Sequence, residues 1–290
     1  AERLVALMAS DGVAAVFFSN GGSDAVEGAL KIARQYWKCR GQHDRTKFIA
    51  LRQGHHGVHF GGMSVNGNTN FRRAYEPLLP GCFHVDTPWL YRNPYTNDPA
   101  RLGAICAELL EREIVFQGPD TVAAFIAEPV QGAGGVIIAP GTYWPEVRRV
   151  LEKYDILLVM DEVICGFGRT GKWFGNIFYG MKPDLMTFAK AVTNGYQPLG
   201  GVMVGERVAE VLTTRGGEFG HGFTYSGHPA ACAAGLATLK ILREEKVIEN
   251  VESVTGPHLA RRWAELADHP LVGEARTLGL FGALELVKDK

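Results

Sequence analysis

The segment Phe18-Ser19-Asn20-Gly21-Gly22-Ser23-Asp24-Ala25 joins an apolar run to a helical pattern through two glycines. The run from Ala14 to Ser19 is rich in β-branched and aromatic residues, which is typical of a buried strand. After the glycines, apolar residues recur at helical spacing on one face, namely Val26, Leu30, Ala33 and Trp37. The segment therefore predicts a strand, a tight turn and a helix in succession.

The same alternation continues outward from this segment. Further buried strands are predicted at 47–51, 122–127, 156–160 and 185–189. Helices are predicted behind Asp98-Pro99, with Leu102, Ile105 and Leu109 on one face, and also at 145–154 and 229–245. Strands that alternate with helices and are apolar throughout indicate an α/β fold whose sheet is mostly parallel and covered on both faces.

Composition and length predict how the chain is divided. We expect residues 1–250 to form a large domain and residues 251–290 to begin a smaller C-terminal α+β domain, because the composition shifts near Asn250. The first residue is not methionine, and Leu4, Leu7 and Met8 already follow a helical pattern. We therefore expect an N-terminal flank to be missing and the small domain to be truncated.

Charge and cysteine content exclude several classes of protein. Thirty basic and thirty-one acidic side chains give a net charge of -1, so nucleic acid and anionic membranes are not expected partners. No apolar run has the length of a membrane span. The five cysteines are scattered and odd in number, which argues against a disulfide framework or a zinc site and favours the reducing cytoplasm.

The turn at Gly21-Gly22-Ser23 has the chemistry of a phosphate cradle. Glycines let a ligand approach the backbone, and the free N–H groups and positive dipole end of the following helix attract an anion. The Ser23 hydroxyl adds a further donor. An ordinary helix N-cap has the same residues, so this segment alone leaves both interpretations open.

Two predicted strands end in a carboxylate. Glu128 follows the run at 122–127, and Asp161 follows the run at 156–160. Acids at the carboxyl ends of parallel strands face the crevice where ligands bind. Such a carboxylate can hold a protonated ring nitrogen or a metal ion, and we favour the former because only Glu162 offers a further ligand nearby in the sequence.

Lys190 closes the apolar run at 185–189. Desolvation at such a position would lower the pKa of the amine and make it available for imine chemistry, whereas an isolated lysine there would simply reach solvent. A phosphate cradle, a buried acid and a strand-end lysine are together the parts that a pyridoxal phosphate enzyme requires.

The motifs taken together resemble those of class III (omega) aminotransferases of the aspartate-aminotransferase fold, also called fold type I of the pyridoxal phosphate enzymes. They are Ser19-Asn-Gly-Gly-Ser-Asp-Ala, Glu128-Pro-Val-Gln-Gly-Ala-Gly-Gly, Asp161-Glu-Val-Ile-Cys-Gly-Phe-Gly-Arg-Thr-Gly, Ala189-Lys190-Ala and His221-Gly-Phe-Thr-Tyr-Ser-Gly-His-Pro. The resemblance covers nearly the whole chain and is strongest to the branch that uses amines or ω-amino acids with pyruvate.

The resemblance implies a role for each site residue. Lys190 and Asp161 would be catalytic, Lys190 as the Schiff-base lysine and Asp161 as the partner of the pyridine nitrogen. The other cofactor-binding residues would be Gly22 and Ser23 at the phosphate, Val163 on one ring face, Glu128 beside Asp161, and Thr224 reaching the phosphate from a neighbouring subunit. The active unit would thus be a homodimer with shared sites, acting on a small-molecule amine donor and a 2-oxo acid acceptor.

The chain departs from the family pattern at two positions. His55 replaces the tyrosine that usually stacks on the cofactor, so its ring would offer less area and a charge that changes near neutral pH. In ornithine-type members the segment after the Glu-Pro pair resembles Gln-Gly-Glu-Ala-Gly, whereas here Ala133 directly follows Gln131-Gly132. The missing glutamate favours transfer of the amino group to pyruvate or a similar acid.

Other functions remain open at this stage. Gly166-Phe-Gly-Arg-Thr-Gly-Lys172 matches two nucleotide-binding patterns, although Trp173 replaces the Ser or Thr that would bind magnesium. The same fold and cofactor also serve aminomutases and decarboxylases. A shortened relative that keeps the fold and has lost turnover is a further alternative.

Overall fold

The computed structural model describes residues 1–290 and contains a central seven-stranded sheet. Its strands are β1 (Val13–Ser19), β2 (Lys47–Leu51), β3 (Cys82–Val85), β4 (Val122–Ala127), β7 (Leu157–Asp161), β8 (Leu185–Phe188) and β9 (Gly200–Gly205), in the spatial order β1-β9-β8-β7-β4-β2-β3. Strand β9 is antiparallel to both of its neighbours, and the other adjacent pairs are parallel. The prediction of a mostly parallel sheet is confirmed.

Two short strand pairs lie outside this sheet. The first joins β5 (Val130–Gln131) to β6 (Ile137–Ile138) directly after β4, and the second is the hairpin of β10 (Val272–Leu278) and β11 (Phe281–Leu286). Both pairs are antiparallel. Because only two residues separate β4 from β5, the turn between β5 and β6 lies at the carboxyl edge of the central sheet.

Helices connect and cover the strands. They are α1 (Glu2–Met8), α2 (Gly22–Cys39), α3 (Phe60–Val65), α4 (Thr69–Arg72), α5 (Pro99–Gln117), α6 (Tyr143–Tyr154), α7 (Gly175–Phe178), α8 (Glu206–Arg215), α9 (Pro229–Glu244), α10 (Val247–Asn250) and α11 (Gly256–Ala264). None of them combines the length and the apolarity that crossing a bilayer requires.

The hydrophobic core has two parts, one on each face of the sheet. Helices α2 and α8 cover one face, with Trp37 fully buried, and helices α1, α5, α6 and α9 cover the other face, with Trp144 buried. Burial on both faces explains why β4 reads as an unbroken apolar run, since every residue from Val122 to Ala127 is buried.

The buried face of α5 differs from the predicted one. Leu102 is buried, but Ile105 and Leu109 are only half-buried, and the buried line continues through Cys106, Leu110 and Ile114. Spacings of three and four residues both keep side chains on one side of a helix. The packing of α5 against α6 selects the line of residues spaced four apart, because that line faces the core.

The sheet brings distant segments to one edge. In the register of the sheet, Phe18 lies opposite Gly201, and Gly201 lies opposite Phe188. The end of β1, and therefore the start of α2, lies at the same edge as the ends of β4, β7 and β8. This edge is where the predicted site residues come together.

Candidate active site

A cavity of about 150 Å³ lies at the carboxyl edge of the sheet. Seven of the eight predicted site residues line it, namely Gly22, Ser23, His55, Glu128, Asp161, Val163 and Lys190. Four residues that were not predicted complete its wall, namely Val26, His56, Gly57 and Ile164. A larger cavity of about 730 Å³, between residues 86–95 and 285–289, contains none of the predicted residues.

Asp161 ends β7 and is almost completely buried. Its Oδ2 lies 2.8 Å from His56 Nδ1, and its Oδ1 accepts hydrogen bonds from the Thr187 hydroxyl at 2.9 Å and from the Val163 N–H at 3.1 Å. Burial alone would raise the pKa of this carboxyl, but the hydrogen bonds, led by that of His56, lower it below its ordinary value. Asp161 is therefore an ionised acid inside the protein, as a partner of a protonated ring nitrogen must be.

His56 and Thr187 are functional residues that the sequence analysis missed. Thr187 lies opposite Asp161 in the register of β7 and β8, so its place beside the acid follows from strand pairing. His56 is fully buried, its Nδ1 is engaged by Asp161, and its Nε2 has no hydrogen-bond partner. The only sequence signal for His56 was its position beside His55.

Glu128 follows β4 and joins two loops through its carboxylate. Oε1 accepts a hydrogen bond from the His55 N–H at 3.0 Å, and Oε2 accepts one from the Gly132 N–H at 2.8 Å. Complete burial raises the pKa of Glu128 to about 7. Glu128 does line the cavity, and both of its oxygens are engaged by backbone N–H groups.

The start of α2 has the geometry of an anion site. The first N–H groups of any helix have no partner within the helix, and here no N-cap side chain accepts a hydrogen bond from them. The Ser23 hydroxyl accepts a hydrogen bond from the Val58 N–H at 3.1 Å and keeps its own proton to donate. Gly22 is needed for a tertiary reason, because a Cβ there would lie 2.9 Å from Val163 Cγ1.

Lys190 lies just beyond β8 in a single helical turn, with a left-handed φ of 42°. Its side chain lines the cavity but is exposed to solvent. The expectation that this lysine is desolvated is wrong for the single chain, because no segment of the chain covers its amine. The left-handed backbone at a non-glycine residue is strained, as is common at functional sites.

His55 presents a half-buried imidazole to the cavity. Its ring centroid lies 4.8 Å from that of Phe71, at an interplanar angle of 57°, and its Nδ1 has no partner. Burial, followed by the neighbouring His56, lowers the pKa of His55. The shift favours the neutral form of the ring, and the expected effect of His55 on cofactor binding stays a prediction.

Thr224 does not line the cavity of its own chain. It is exposed, in the segment between α8 and α9, beside the exposed Tyr225. His221 attaches the same segment to β1 and α2. Its ring stacks on Phe17, and its Nδ1 lies 3.1 Å from Lys31 Nζ. Its action on a neighbouring subunit stays a prediction.

The glycine-rich segment 166–172 does not have the geometry of a nucleotide-binding loop. Only a four-residue helix, α7, follows it, and Gly168 and Gly171 pack closely against Ile248 and Glu252. A phosphate-binding loop instead opens a long helix whose N–H groups face the ligand. These glycines allow close contact with the C-terminal part of the chain.

The residues present fit pyridoxal phosphate. An uncapped helix start and the Ser23 hydroxyl suit its phosphate, and the ionised Asp161 suits its ring nitrogen. The orphaned ring nitrogens of His55 and His56 show that the cavity wall keeps polar atoms without partners from the chain. Lys190 supplies an amine at the mouth of the same cavity.

Comparisons with known proteins identify the family of the chain. A sequence model of the family described as Aminotransferase class-III matches residues 1–290. The chain is 50% identical over 288 residues to a putrescine–pyruvate aminotransferase of Pseudomonas aeruginosa, covering 99% of this chain and 63% of that protein. It is 44% identical to a diaminobutyrate–2-oxoglutarate transaminase of Halomonas elongata, covering 99% of this chain and 62% of that protein.

Solved structures give the same result. An amine transaminase from an uncultivated Pseudomonas species, in its PLP-bound internal aldimine form, superposes with a TM-score of 0.97 at 48% identity, over 100% of this chain and 66% of that chain. The chain belongs to the class III aminotransferases, a family that uses pyridoxal phosphate. It spans less than two thirds of the length of the two curated relatives.

Proposed function

We propose that this chain carries the cofactor site of an enzyme that moves an amino group from an amine or ω-amino acid to pyruvate or a similar 2-oxo acid. The observation that carries the proposal is an ionised, buried Asp161 in the same cavity as Lys190 and the uncapped start of α2. The putrescine–pyruvate aminotransferase among its relatives supports pyruvate as the acceptor.

Each residue contributes one physical action. When bound, pyridoxal phosphate supplies an electron-withdrawing ring that stabilises negative charge at the substrate carbon. Asp161 favours the protonated ring nitrogen by its charge, and His56 and Thr187 keep Asp161 ionised and oriented. Lys190 would hold the cofactor covalently through Nζ, and the same amine, once free, would accept the proton that leaves the substrate carbon.

The remaining site residues bind and orient. Ser23 and the first-turn N–H groups of α2 would hold the phosphate, and Gly22 leaves room for Val163, which would contact the ring. His55 contributes its ring to the wall, and Glu128 fixes the backbone of His55. Together these residues would orient the cofactor relative to Lys190.

We further propose a homodimer with shared sites, in which Thr224 of the partner subunit contacts the phosphate. Large exposed apolar side chains support this, since Val58 and Phe60, which follow the cavity residue Gly57, and Tyr225, which follows Thr224, are between 59% and 74% exposed. Exposed apolar patches of this kind mark protein–protein contacts. A second copy would also cover Lys190, which this chain leaves open.

Two broader proposals accompany the site. We assign residues 1–250 to the cofactor-binding domain and residues 251–290 to the start of the small domain, which contains the separate β10–β11 hairpin. We place the enzyme in the cytoplasm, because all five cysteines are free thiols.

An aminomutase or decarboxylase is not favoured, since the relatives named above are transaminases.

The test of the cofactor site is the visible spectrum of the purified chain with added pyridoxal phosphate, before and after borohydride. We expect the wild type to show an imine band that reduction converts into a covalent adduct on Lys190. Lys190→Ala should show no such adduct and no detectable amino transfer, because no other amine lies at the cavity.

Lys182→Ala is the matched control. Lys182 lies at the opposite end of β8, where its Nζ donates to the Ser10 carbonyl at 2.9 Å. This variant should label like the wild type. A wild-type chain without the band, or a Lys190→Ala variant that is labelled and active, would contradict the proposed function.

A further inference from the structure

The β10–β11 hairpin carries a nearly buried charge, the guanidinium of Arg276, whose side chain is 7% exposed. Two of its nitrogens donate to one carbonyl oxygen, that of Gly135, with Nε at 3.0 Å and Nη2 at 2.7 Å. Glu274 and Glu285 balance the charge, and the guanidinium lies over the ring of Trp89 at 4.9 Å. Through these hydrogen bonds the hairpin holds the loop that contains Gly135 in place.

The carbonyl that Arg276 binds belongs to a strained turn. Gly135 has a φ of 116° and Val136 a φ of 53°, and a left-handed conformation is rare for a β-branched residue. Such a conformation persists only where surrounding contacts impose it. The two hydrogen bonds from Arg276 are contacts of this kind.

The hairpin also packs against the turn. Phe281 of β11 belongs to a small apolar cluster with Val130, Val136 and Cys165. The backbone N–H of Leu280 donates to the Arg169 carbonyl at 2.8 Å. The hairpin is thus attached both to the turn after β5 and to the loop that follows Val163.

From the turn, a continuous path of contacts leads to the cavity. The Gly132 N–H at the start of the turn donates to Glu128 Oε2 at 2.8 Å, and Glu128 Oε1 accepts from the His55 N–H at 3.0 Å. Farther along the turn, a Cβ on Gly134 would lie 2.7 Å from the Gln53 carbonyl oxygen, so the turn also packs closely on the segment before His55.

We propose that Arg276 is a positioning residue that holds the turn 132–136 and, through Glu128, the backbone of His55 in the wall of the cavity. Its effect on cofactor affinity rests on the proposed function, whereas its effect on the wall does not. The C-terminal hairpin would then control the geometry of a pocket that none of its own residues lines.

The test is hydrogen–deuterium exchange on the cofactor-free chain, comparing the wild type with Arg276→Met and Arg276→Lys. We expect Arg276→Met to exchange about tenfold faster in peptides covering 128–137 and 53–58, because the local opening loses a charged hydrogen bond. Arg276→Lys should fall between the two, since an ammonium keeps the pairs with the glutamates but cannot donate two hydrogen bonds in the same geometry.

Arg262→Met is the control, because Arg262 is 66% exposed and pairs only with Glu265. It should exchange like the wild type. Peptides from α5 report on the global fold, and they should not change in any variant. If Arg276→Met does not fold, Arg276→Lys alone decides, by faster exchange in the two peptides with α5 unchanged.

Three results would overturn the inference. They are unchanged exchange at 128–137, faster exchange there without any effect at 53–58, and an equal acceleration in α5, which would assign Arg276 to general stability. Affinity for pyridoxal phosphate is measured separately and should fall about tenfold in Arg276→Met. A wild-type chain that binds no pyridoxal phosphate would sink the proposed function and leave the exchange result to decide this inference.

Discussion

Asp161 combines two properties that oppose each other, burial and a negative charge. Three hydrogen-bond donors from three segments, His56, Thr187 and the backbone of Val163, resolve the conflict. A carboxylate stripped of water keeps its charge only when donors replace the lost hydration. The chemistry at this residue therefore depends on neighbours that are far away in sequence.

Replacing the charge of Asp161 tests this view at the scale of one residue. Asp161→Asn keeps the size of the side chain but cannot stabilise a protonated ring nitrogen, so we expect transfer from an amine to pyruvate to fall by roughly 10²-fold or more. Asp184→Asn is the control, because Asp184 is a largely buried acid at the opposite edge of the sheet. Equal losses in the two variants would argue against a special role for Asp161.

At the scale of elements, Glu162 links the end of β7 to the start of α7. It is fully buried, and its oxygens accept hydrogen bonds from the Gly175 N–H at 2.8 Å and the Asn176 N–H at 2.6 Å. Burial raises the pKa of Glu162 to about 7 in spite of these hydrogen bonds. Although Glu162 is adjacent to Asp161, it holds a loop and does not line the cavity.

This buried acid should make stability depend on pH. Its pKa is higher in the folded state than in the unfolded state, so its favourable contribution is present at low pH and is lost as pH rises toward about 7. The difference in unfolding free energy between the wild type and Glu162→Gln should shift by on the order of 3 kcal/mol across that range.

Denaturant unfolding at pH 5, 6 and 7.5 measures this difference, with Glu108→Gln as a control because Glu108 is exposed on α5. These pH values cover most of the range between 4.5, the ordinary pKa of a glutamate, and about 7, over which the contribution is lost. A difference between the wild type and Glu162→Gln that does not change with pH would contradict the assignment.

Within the central sheet, the five apolar strands were predicted from the sequence, whereas β3 and β9 were not. Strand β9 begins Gly200-Gly201, a composition that sequence criteria assign to turns. Glycine is required there because a Cβ on Gly200 would lie 2.6 Å from the Gly21 carbonyl oxygen, and one on Gly201 would lie 2.5 Å from the Phe17 carbonyl oxygen. These close approaches exist only in the folded sheet.

At the scale of the whole molecule, shared sites predict complementation between two inactive variants. Lys190→Ala lacks the lysine, and Thr224→Asp would repel the phosphate from the partner subunit's site. In a mixed dimer one site would regain both wild-type residues, so an equal mixture should recover about a quarter of wild-type activity after subunit exchange.

The control mixture combines Lys190→Ala with Asp161→Asn. Both residues line the cavity of one chain, so neither site of this mixed dimer is complete and activity should stay low. Recovery in the control, or none in the Lys190→Ala and Thr224→Asp mixture, would show that Thr224 does not act across the interface. Amine-dependent consumption of pyruvate measures both mixtures.

The sequence by itself determined the alternation of strands and helices and the positions of Asp161, Glu128 and Lys190 at strand ends, because these features depend on local periodicity. Tertiary structure alone decided that His56 contacts Asp161, 105 residues away in the sequence, and that Arg276 contacts Gly135, 141 residues away. It also decided that Lys190 stays exposed in the single chain. Such contacts depend on which strands pair and on what covers the sheet edge, and local pattern does not encode either of them.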